Sequence, residues 1–157
     1  MSCNQICDID MHFMNIAIEL AKRASEFDEV PVGSIVVKND IVIGSGYNKN
    51  IQLNNVVSHA EIIALNTATQ NQGTWRLTKS TLYTTAEPCI MCCGAILHCR
   101  VERVVFGVLE PKFGGIISCA KIFDISGLNH KIKYAYGCYE KEIKELMGNF
   151  FKNKRGK

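Results

Sequence analysis

Residues 57–94 contain two short motifs, Val57-Ser-His-Ala-Glu61 and Glu87-Pro-Cys-Ile-Met-Cys92-Cys-Gly94. The first places an imidazole and a carboxylate two positions apart. The second places Cys89 and Cys92 three positions apart behind a proline, where a helix commonly begins. Residues three apart on a helix lie on the same face, so the two thiols can point at one centre. The rest of the chain is interpreted as the scaffold for this cluster.

The residue types of this cluster favour a zinc site. Two thiolates and one imidazole suit zinc, and the first turn of a helix stabilises thiolates. We therefore predict that His59, Cys89 and Cys92 bind the metal. Three protein ligands leave the fourth zinc position for water, which is typical of catalytic rather than structural sites. Glu61 is then free to act as an acid or base.

Each part of the pattern also has a simpler interpretation. Cys93 is four positions from Cys89, so spacing alone leaves it open as a ligand in place of Cys92 or as a fourth one. A site with three cysteines and a histidine would be closed and structural. Ser58-x-x-Glu61 is a capping-box sequence, in which the glutamate binds the helix N-terminus. The conjunction of the two motifs is much more specific than either of them.

The hydrophobic pattern predicts ten elements in the order α-β-β-α-β-α-β-α-β-α. Helices are expected at 10–27, 58–70, 88–98, 118–123 and 139–152, and strands at 32–37, 41–48, 81–85, 103–108 and 131–136. The alternation after the first hairpin predicts mainly parallel strands with helices on both faces. Gly44 and Gly46 late in a strand indicate a bulge or a close backbone approach. Residues 1–157 are expected to form one domain.

Composition limits the setting in which the protein works. Apolar residues make up 47% of the chain and charged residues 21%, as in ordinary globular proteins. The net charge of +3 does not by itself indicate nucleic-acid binding, but residues 152–157 carry four positive charges. This tail either contacts phosphates or is a solvated terminus. The eight cysteines without a signal peptide favour a reducing, cytoplasmic location, and no apolar run is long enough to span a membrane.

The two motifs together match a known signature. His59-Ala-Glu61 with Pro88-Cys-Ile-Met-Cys92 resembles the H-x-E…P-C-x-x-C pattern of zinc nucleobase deaminases. The chain is similar to the bacterial tRNA adenosine deaminases, which make inosine at the anticodon wobble position. Further similar segments are Glu29–Gly33, Gly44–Asn48, Pro88–Arg100, Arg103–Gly107, Gly127–His130 and Phe150–Phe151. The resemblance covers roughly residues 10–155.

This resemblance implies a fold and a set of partners. The expected fold is a cytidine-deaminase-like α/β protein, a three-layer α/β/α sandwich with a mixed five-stranded sheet. One Zn²⁺ per subunit is implied, with His59, Cys89 and Cys92 as ligands and Glu61 as the proton shuttle. The family forms homodimers that bind the tRNA anticodon stem-loop. No membrane association is expected.

The resemblance also implies substrate contacts. Asn48 would hydrogen-bond the target base, and the backbone N–H of Ala60 would contact the base near the reacting carbon. Lys112 resembles a loop lysine near the RNA, and Phe150 resembles a C-terminal aromatic that packs against nucleotides. Glu110 stands where the family often has aspartate, and the extra methylene would move a carboxylate by about 1.5 Å.

Two further segments depart from the family pattern. They are Asn54–Ser58, before the histidine motif, and Cys93, which stands where a small residue is usual. The effect of all these departures is expected on RNA preference rather than on deamination.

The sequence thus predicts hydrolytic deamination of a wobble adenosine to inosine, with two rivals. One is a deaminase of a free base or nucleoside, such as guanine, cytosine or cytidine, because the same motif serves these reactions. The other is a non-catalytic, zinc-stabilised RNA-binding module whose site is closed by Cys93. A non-catalytic module does not require Glu61, and it does not require a zinc site with an open fourth position.

Overall fold

The computed structural model describes residues 5–156 and contains the predicted order of elements. The elements are α1 (Asp8–Glu26), β1 (Gly33–Lys38), β2 (Ile41–Tyr47), α2 (Ala60–Gln72), β3 (Ser80–Ala86), α3 (Ile90–His98), β4 (Arg103–Val108), a 3₁₀ helix (Ile122–Asp124), β5 (Lys133–Tyr136) and α4 (Glu140–Arg155). No helix in this part of the chain is long and apolar enough to cross a membrane.

The five strands form one mixed sheet in the order β2-β1-β3-β4-β5. β1 is antiparallel to both β2 and β3, whereas β3, β4 and β5 are parallel. Strands β2, β3, β4 and β5 therefore run in one direction, as predicted for the strands after the hairpin, and β1 is the one antiparallel strand of the five. Helix α2 does connect β2 to a strand of the same direction, but that crossover passes over β1, which lies between them and runs the opposite way. The mixed five-stranded sheet implied by the resemblance is confirmed.

Helices cover both faces of the sheet, which gives three layers. Leu65 of α2 and Ile96 of α3 belong to one buried cluster, and Met14 of α1 and Ile143 of α4 belong to the other. Consecutive strand residues point to opposite faces, so the three central strands, β1, β3 and β4, contribute to both clusters. The three-layer α/β/α arrangement is confirmed.

Helix α2 packs closely on β2, and glycine makes this possible. A Cβ atom at Gly44 would overlap the carbonyl oxygen of Ala64, and one at Gly46 would lie 2.8 Å from the carbonyl oxygen of Ala60. The pairing of β1 with β2 also shifts register between Val36 and Val37. The close approach and the irregularity predicted from the two glycines are both present. The contact fixes α2, whose first turn carries the site.

Some element boundaries differ from the prediction. The short helix expected at 118–123 is instead a 3₁₀ turn at Ile122–Asp124. Residues 116–118 form a loop that donates backbone hydrogen bonds to the Glu87 carboxylate. The last helix continues to Arg155, so most of the basic tail is helical.

Candidate active site

The site lies where the N-termini of α2 and α3 meet. Each helix begins two residues later than predicted, so His59 and Cys89 are the residues that precede the first helical turn. Both have extended backbone, and neither side chain caps its own helix. The imidazole and the thiol are therefore available to a shared centre. Cys92, in the first turn of α3, completes the group.

The three predicted ligands form a compact group. His59 Nδ1 lies 3.6 Å from the Sγ atoms of both Cys89 and Cys92. A tetrahedral zinc with bonds of about 2.3 Å to sulfur and about 2.0 Å to nitrogen places these atoms about 3.6 Å apart. Among residues 5–156, this is the one group of His, Cys, Asp and Glu side chains that could hold a metal. The donor set and its spacing fit zinc.

The thiols of Cys89 and Cys92 differ in pKa. The hydrogen bond from Cys92, with help from His59, lowers the pKa of Cys89 to about 4 although burial opposes this. The pKa of Cys92 is raised because its thiol donates that hydrogen bond and is buried. The hydrogen bond to Cys89 raises the pKa of His59. Metal binding would displace the remaining thiol proton.

Glu61 lies beside this group and does not cap a helix. Its Oε1 accepts a hydrogen bond from Thr84 Oγ1 at 3.2 Å, and its Oε2 lies 3.6 Å from Cys92 Sγ. No capping box is present at α2, so the capping interpretation is wrong. Burial raises the pKa of Glu61, as expected for a carboxyl in an apolar pocket. A buried carboxyl at the ligand group is suited to proton transfer.

Cys93 lies outside the metal-ligand group. It is fully buried and belongs to the hydrophobic cluster beneath α2 and α3. Its Sγ is 3.6 Å from the carbonyl oxygen of Pro88. Consecutive helical residues are about 100° apart, which turns Cys93 into the core when Cys92 points at His59. The interpretation of Cys93 as a ligand is wrong.

A cavity of about 1020 Å³ opens above the ligand group. Its walls include six of the residues that the sequence singled out: Asn48, His59, Glu61, Cys89, Glu110 and Lys112. Other wall residues come from the segment before β1, from the loops after β2 and β4, and from α4. The cavity therefore gathers predicted substrate residues from distant parts of the chain around one reactive centre.

Comparison with known proteins identifies the family. Residues 8–155 match the family model described as MafB19-like deaminase. The chain is 40% identical over 149 residues to a tRNA-specific adenosine deaminase of Haemophilus influenzae, covering 94% of this chain and 86% of that protein. It is 41% identical over 144 residues to the tRNA-specific adenosine deaminase of Aquifex aeolicus, covering 92% and 95%. The chain belongs to the tRNA-specific adenosine deaminase family.

Solved structures agree with this assignment. A structure from a study of A-to-I editing by tRNA:A34 deaminases at the wobble position superposes with a TM-score of 0.83 at 37% identity, covering 86% of this chain and 98% of that one. A guanine deaminase from Nitrosomonas europaea gives a TM-score of 0.79 at 23% identity, over 93% of this chain and 86% of that one. The second similarity shows a shared fold alone.

The deaminase holds Asn48 in place through the backbone of α2. The N–H of Ala60 donates to Asn48 Oδ1 at 2.8 Å. This N–H was predicted to contact the base, but in the structure it serves Asn48 instead. Within residues 5–156 the Asn48 Nδ2 group has no hydrogen-bond partner, and the side chain lines the cavity. Asn48 thus presents a donor to whatever the cavity binds.

Helix α4 of the deaminase presents Phe151, not Phe150, to the cavity. Met147, Phe151 and Arg155 recur every four residues and form one helix face on the cavity wall. Phe150 lines a separate depression of about 260 Å³ with Asp28. The structure therefore does not bring Phe150 to the site.

Proposed function

We propose that this chain forms a single deaminase domain that hydrolyses adenosine to inosine at the wobble position of a tRNA anticodon. The observation that carries the proposal is the position of Glu61, buried beside a zinc-compatible group at the base of the large cavity. Relatives at 36–41% identity are tRNA-specific adenosine deaminases, which supports the same substrate.

The metal would be one Zn²⁺ per subunit, held by His59, Cys89 and Cys92. Zinc bound there would supply water activated for attack at neutral pH. The chain provides the rest of the chemistry. Glu61 takes a proton from the attacking water and delivers it to N1 of adenine, which makes C6 more electrophilic. As the water oxygen adds to C6, the Glu61 carboxylate takes the second proton from the resulting C6 hydroxyl and passes it to the amino group. The C6–N bond then breaks, ammonia leaves, and the C6 carbonyl of inosine remains.

The cavity walls would position the nucleotide. Asn48, fixed by the Ala60 N–H, offers its Nδ2 donor to a ring acceptor of the base. Lys112 and Arg155 on the walls supply positive charge for phosphates. Phe151, 41% exposed, offers an aromatic face for stacking on an unpaired base. We transfer to Phe151 the nucleotide contact predicted for Phe150.

We also propose a homodimer in the cytoplasm. Large apolar side chains are strongly exposed on the loop after β2, where Ile51, Leu53 and Val56 are 65%, 56% and 83% exposed. Such a patch is typical of a surface that a partner covers. The seven cysteines in residues 5–156 are free thiols, as in a reducing compartment. Light scattering coupled to gel filtration would test the dimer by its mass.

The test of function is inosine formation. Zinc-loaded protein is incubated with an anticodon stem-loop carrying a wobble adenosine, and separately with free adenosine, guanine, cytosine and cytidine. Inosine at the wobble position alone is the expected result. Ammonia from a free base with the stem-loop unchanged would overturn the proposal. Binding of the stem-loop without any product, by zinc-loaded protein, would favour the non-catalytic module.

A further inference from the structure

We infer that two buried carboxylates, Glu29 and Glu87, are positioning residues that hold the loops on two walls of the cavity in the shape that binds RNA. The inference rests on the proposed function. Glu29 is 2% exposed and Glu87 is 3% exposed. Neither forms an ion pair in the described part of the chain. Each carboxylate is satisfied instead by N–H groups of a loop distant in sequence.

Glu87 accepts hydrogen bonds from both ends of the loop after β4. Its Oε1 accepts hydrogen bonds from the N–H of Glu110 at 3.0 Å and from Ser118 Oγ at 2.5 Å. Its Oε2 accepts from the N–H groups of Ile116, Ile117 and Ser118 at 3.1, 2.8 and 3.0 Å. All five donors belong to the loop after β4, so the Glu87 carboxylate anchors both of its ends.

This loop carries substrate-facing side chains. Glu110 and Lys112 lie on it and line the cavity. Gly114, in the same loop, packs directly against Glu87, because a Cβ atom at Gly114 would overlap the Glu87 carboxylate. Glu87 itself stands two residues before Cys89. The anchor thus fixes the loop relative to the end of β3 and the start of α3, where the reactive group lies.

Glu29 performs the same role for the loop after β2. Its Oε1 accepts the N–H of Ile51 at 3.1 Å, and its Oε2 accepts the N–H of Gln52 at 2.8 Å. That loop supplies Asn50 and Val56 to the cavity wall. The bonds tie it to the segment that follows α1, which also lines the cavity. Two loops from different parts of the chain are thus held by equivalent chemistry.

The position of these carboxylates points to substrate binding rather than to the chemical step. Burying a carboxyl group is costly unless it is fully hydrogen-bonded, so such a group is a poor choice for stability alone. The metal ligands and Glu61 stand at the starts of helices, whereas both anchored loops form the outer wall. Loss of an anchor should therefore displace the wall and leave the reacting group in place.

The test compares Glu29→Gln and Glu87→Gln with a matched control, Asp10→Asn. A glutamine keeps the shape but offers an NH₂ group to backbone donors that need an acceptor. We expect each variant to raise KM for the stem-loop by about tenfold or more, with kcat changed by less than about threefold. Zinc content should stay at one per chain. Asp10 is another fully buried carboxylate, but it does not line the cavity, so its loss should lower Tm without raising KM.

Amide hydrogen exchange provides a readout that does not depend on activity. Glu87→Gln should speed exchange at Ile117 and Ser118, and Glu29→Gln should speed exchange at Ile51 and Gln52. Ser118→Ala is a milder variant should Glu87→Gln fail to fold. If wild-type protein leaves the stem-loop unchanged, the proposed function fails, and the exchange data still decide whether the carboxylates hold the loops.

Three results would overturn the inference. The first is a KM increase no larger than that of Asp10→Asn. The second is loss of zinc in the glutamine variants, which would show a role at the metal group. The third is unchanged exchange at the loop amides in the folded variants.

Discussion

Glu61 combines burial with contact to the reactive group, and this combination defines its role. Its carboxylate is 4% exposed and lies within hydrogen-bond range of the Cys92 thiol and the Thr84 hydroxyl. No side chain of the metal-ligand group is replaced when Glu61 is changed to alanine. We expect Glu61→Ala to reduce inosine formation by at least about 10²-fold, the usual contribution of a general acid or base, while zinc stays bound. Product analysis and metal analysis on the same sample measure both. Loss of zinc would contradict this role.

Cys92 and Cys93 form a matched pair for testing the ligand set. They are adjacent in sequence, and both are fully buried, but only Cys92 faces His59. Cys92→Ala should therefore lose zinc and activity. Cys93→Ala should keep both and lower the free energy of unfolding by about 1 kcal/mol, because it leaves a small void in the core. Zinc analysis and thermal unfolding distinguish the two, and loss of zinc from the Cys93 variant would restore the closed-site interpretation.

At the scale of elements, the packing of α2 on β2 determines where His59 and Glu61 stand. Gly44→Ala would place a methyl group against the α2 backbone near Ala64 and Ala68. We expect a loss of about 1–3 kcal/mol in the free energy of unfolding, typical of an overpacked core. Activity should also fall, since α2 must shift. Urea denaturation measures the first effect and stem-loop turnover the second.

A helical glycine with free space provides the control for that prediction. A Cβ atom at Gly148 in α4 would meet no atom within 4 Å. Gly148→Ala should therefore raise the free energy of unfolding by up to about 1 kcal/mol through better helix propensity. Equal destabilisation by both substitutions would show that the α2–β2 contact is not the cause.

The order of elements and the grouping of Cys89 with Cys92 could be predicted because both depend on local spacing. Hydrophobic periodicity fixes helix and strand, and a separation of three residues places Cys89 and Cys92 on one helix face. The pairing of β1 with β3 could not be predicted in this way, because it depends on which strand the α2 crossover passes. The capping sequence at Ser58 also suggested the wrong start for α2. Helix α2 begins only at Ala60, because His59 keeps an extended backbone that directs its side chain to the reactive group.

The sequence does not predict which side chain of α4 faces the cavity, nor the roles of Glu29 and Glu87, and the two reasons differ. Phe150 and Phe151 are adjacent, and only the docked helix shows which of them faces the cavity. Glu29 and Glu87 are bonded to backbone N–H groups, which any residue type supplies. No sequence pattern marks such partners.

Across the whole molecule, Asp10 joins α1 to the central strands. Its carboxylate accepts hydrogen bonds from both terminal nitrogens of Arg103, at 2.7 and 2.9 Å, and from Tyr83 at 2.9 Å. Burial alone would raise the pKa of Asp10, but these bonds, with those from Cys7, lower it to about 2. Because the folded pKa lies below the usual value of 3.8, the carboxylate stabilises the fold above about pH 4.

This stabilisation should be lost as the pH falls from about 4 to about 2, and it amounts to about 2 kcal/mol. Denaturant unfolding across that range measures it. The lowered pKa of Glu87 acts in the same direction. The wild-type protein should therefore lose more unfolding free energy over this pH range than Asp10 alone contributes. Asp10→Asn should be less stable at neutral pH and show a flatter acid limb. An acid limb unchanged by that substitution would show that Asp10 does not stabilise the fold through its charge.

The charge of the whole molecule bears on how it meets RNA. A net charge of +3 is small, so attraction to phosphates must come from where the cations lie. Lys112 and Arg155 stand on the cavity wall, and α4 ends in Lys152, Lys154 and Arg155. Each phosphate contact to single-stranded RNA contributes about −0.7 to the slope of log affinity against log salt. Binding of the stem-loop should therefore weaken steeply as salt is raised.

The substitution Lys112→Ala tests whether the cavity wall supplies one of these contacts. It should reduce the steepness of the salt dependence by about 0.7 and weaken binding at low salt, because one phosphate contact is lost. Lys22→Ala is the control, since Lys22 lies on α1 and pairs with Glu19 at 3.0 Å, away from the cavity. Fluorescence titration of a labelled stem-loop over a range of KCl concentrations gives the slopes. Equal slopes for wild type and Lys112→Ala would place the phosphate contacts elsewhere on the molecule, with the basic end of α4 as the next surface to test.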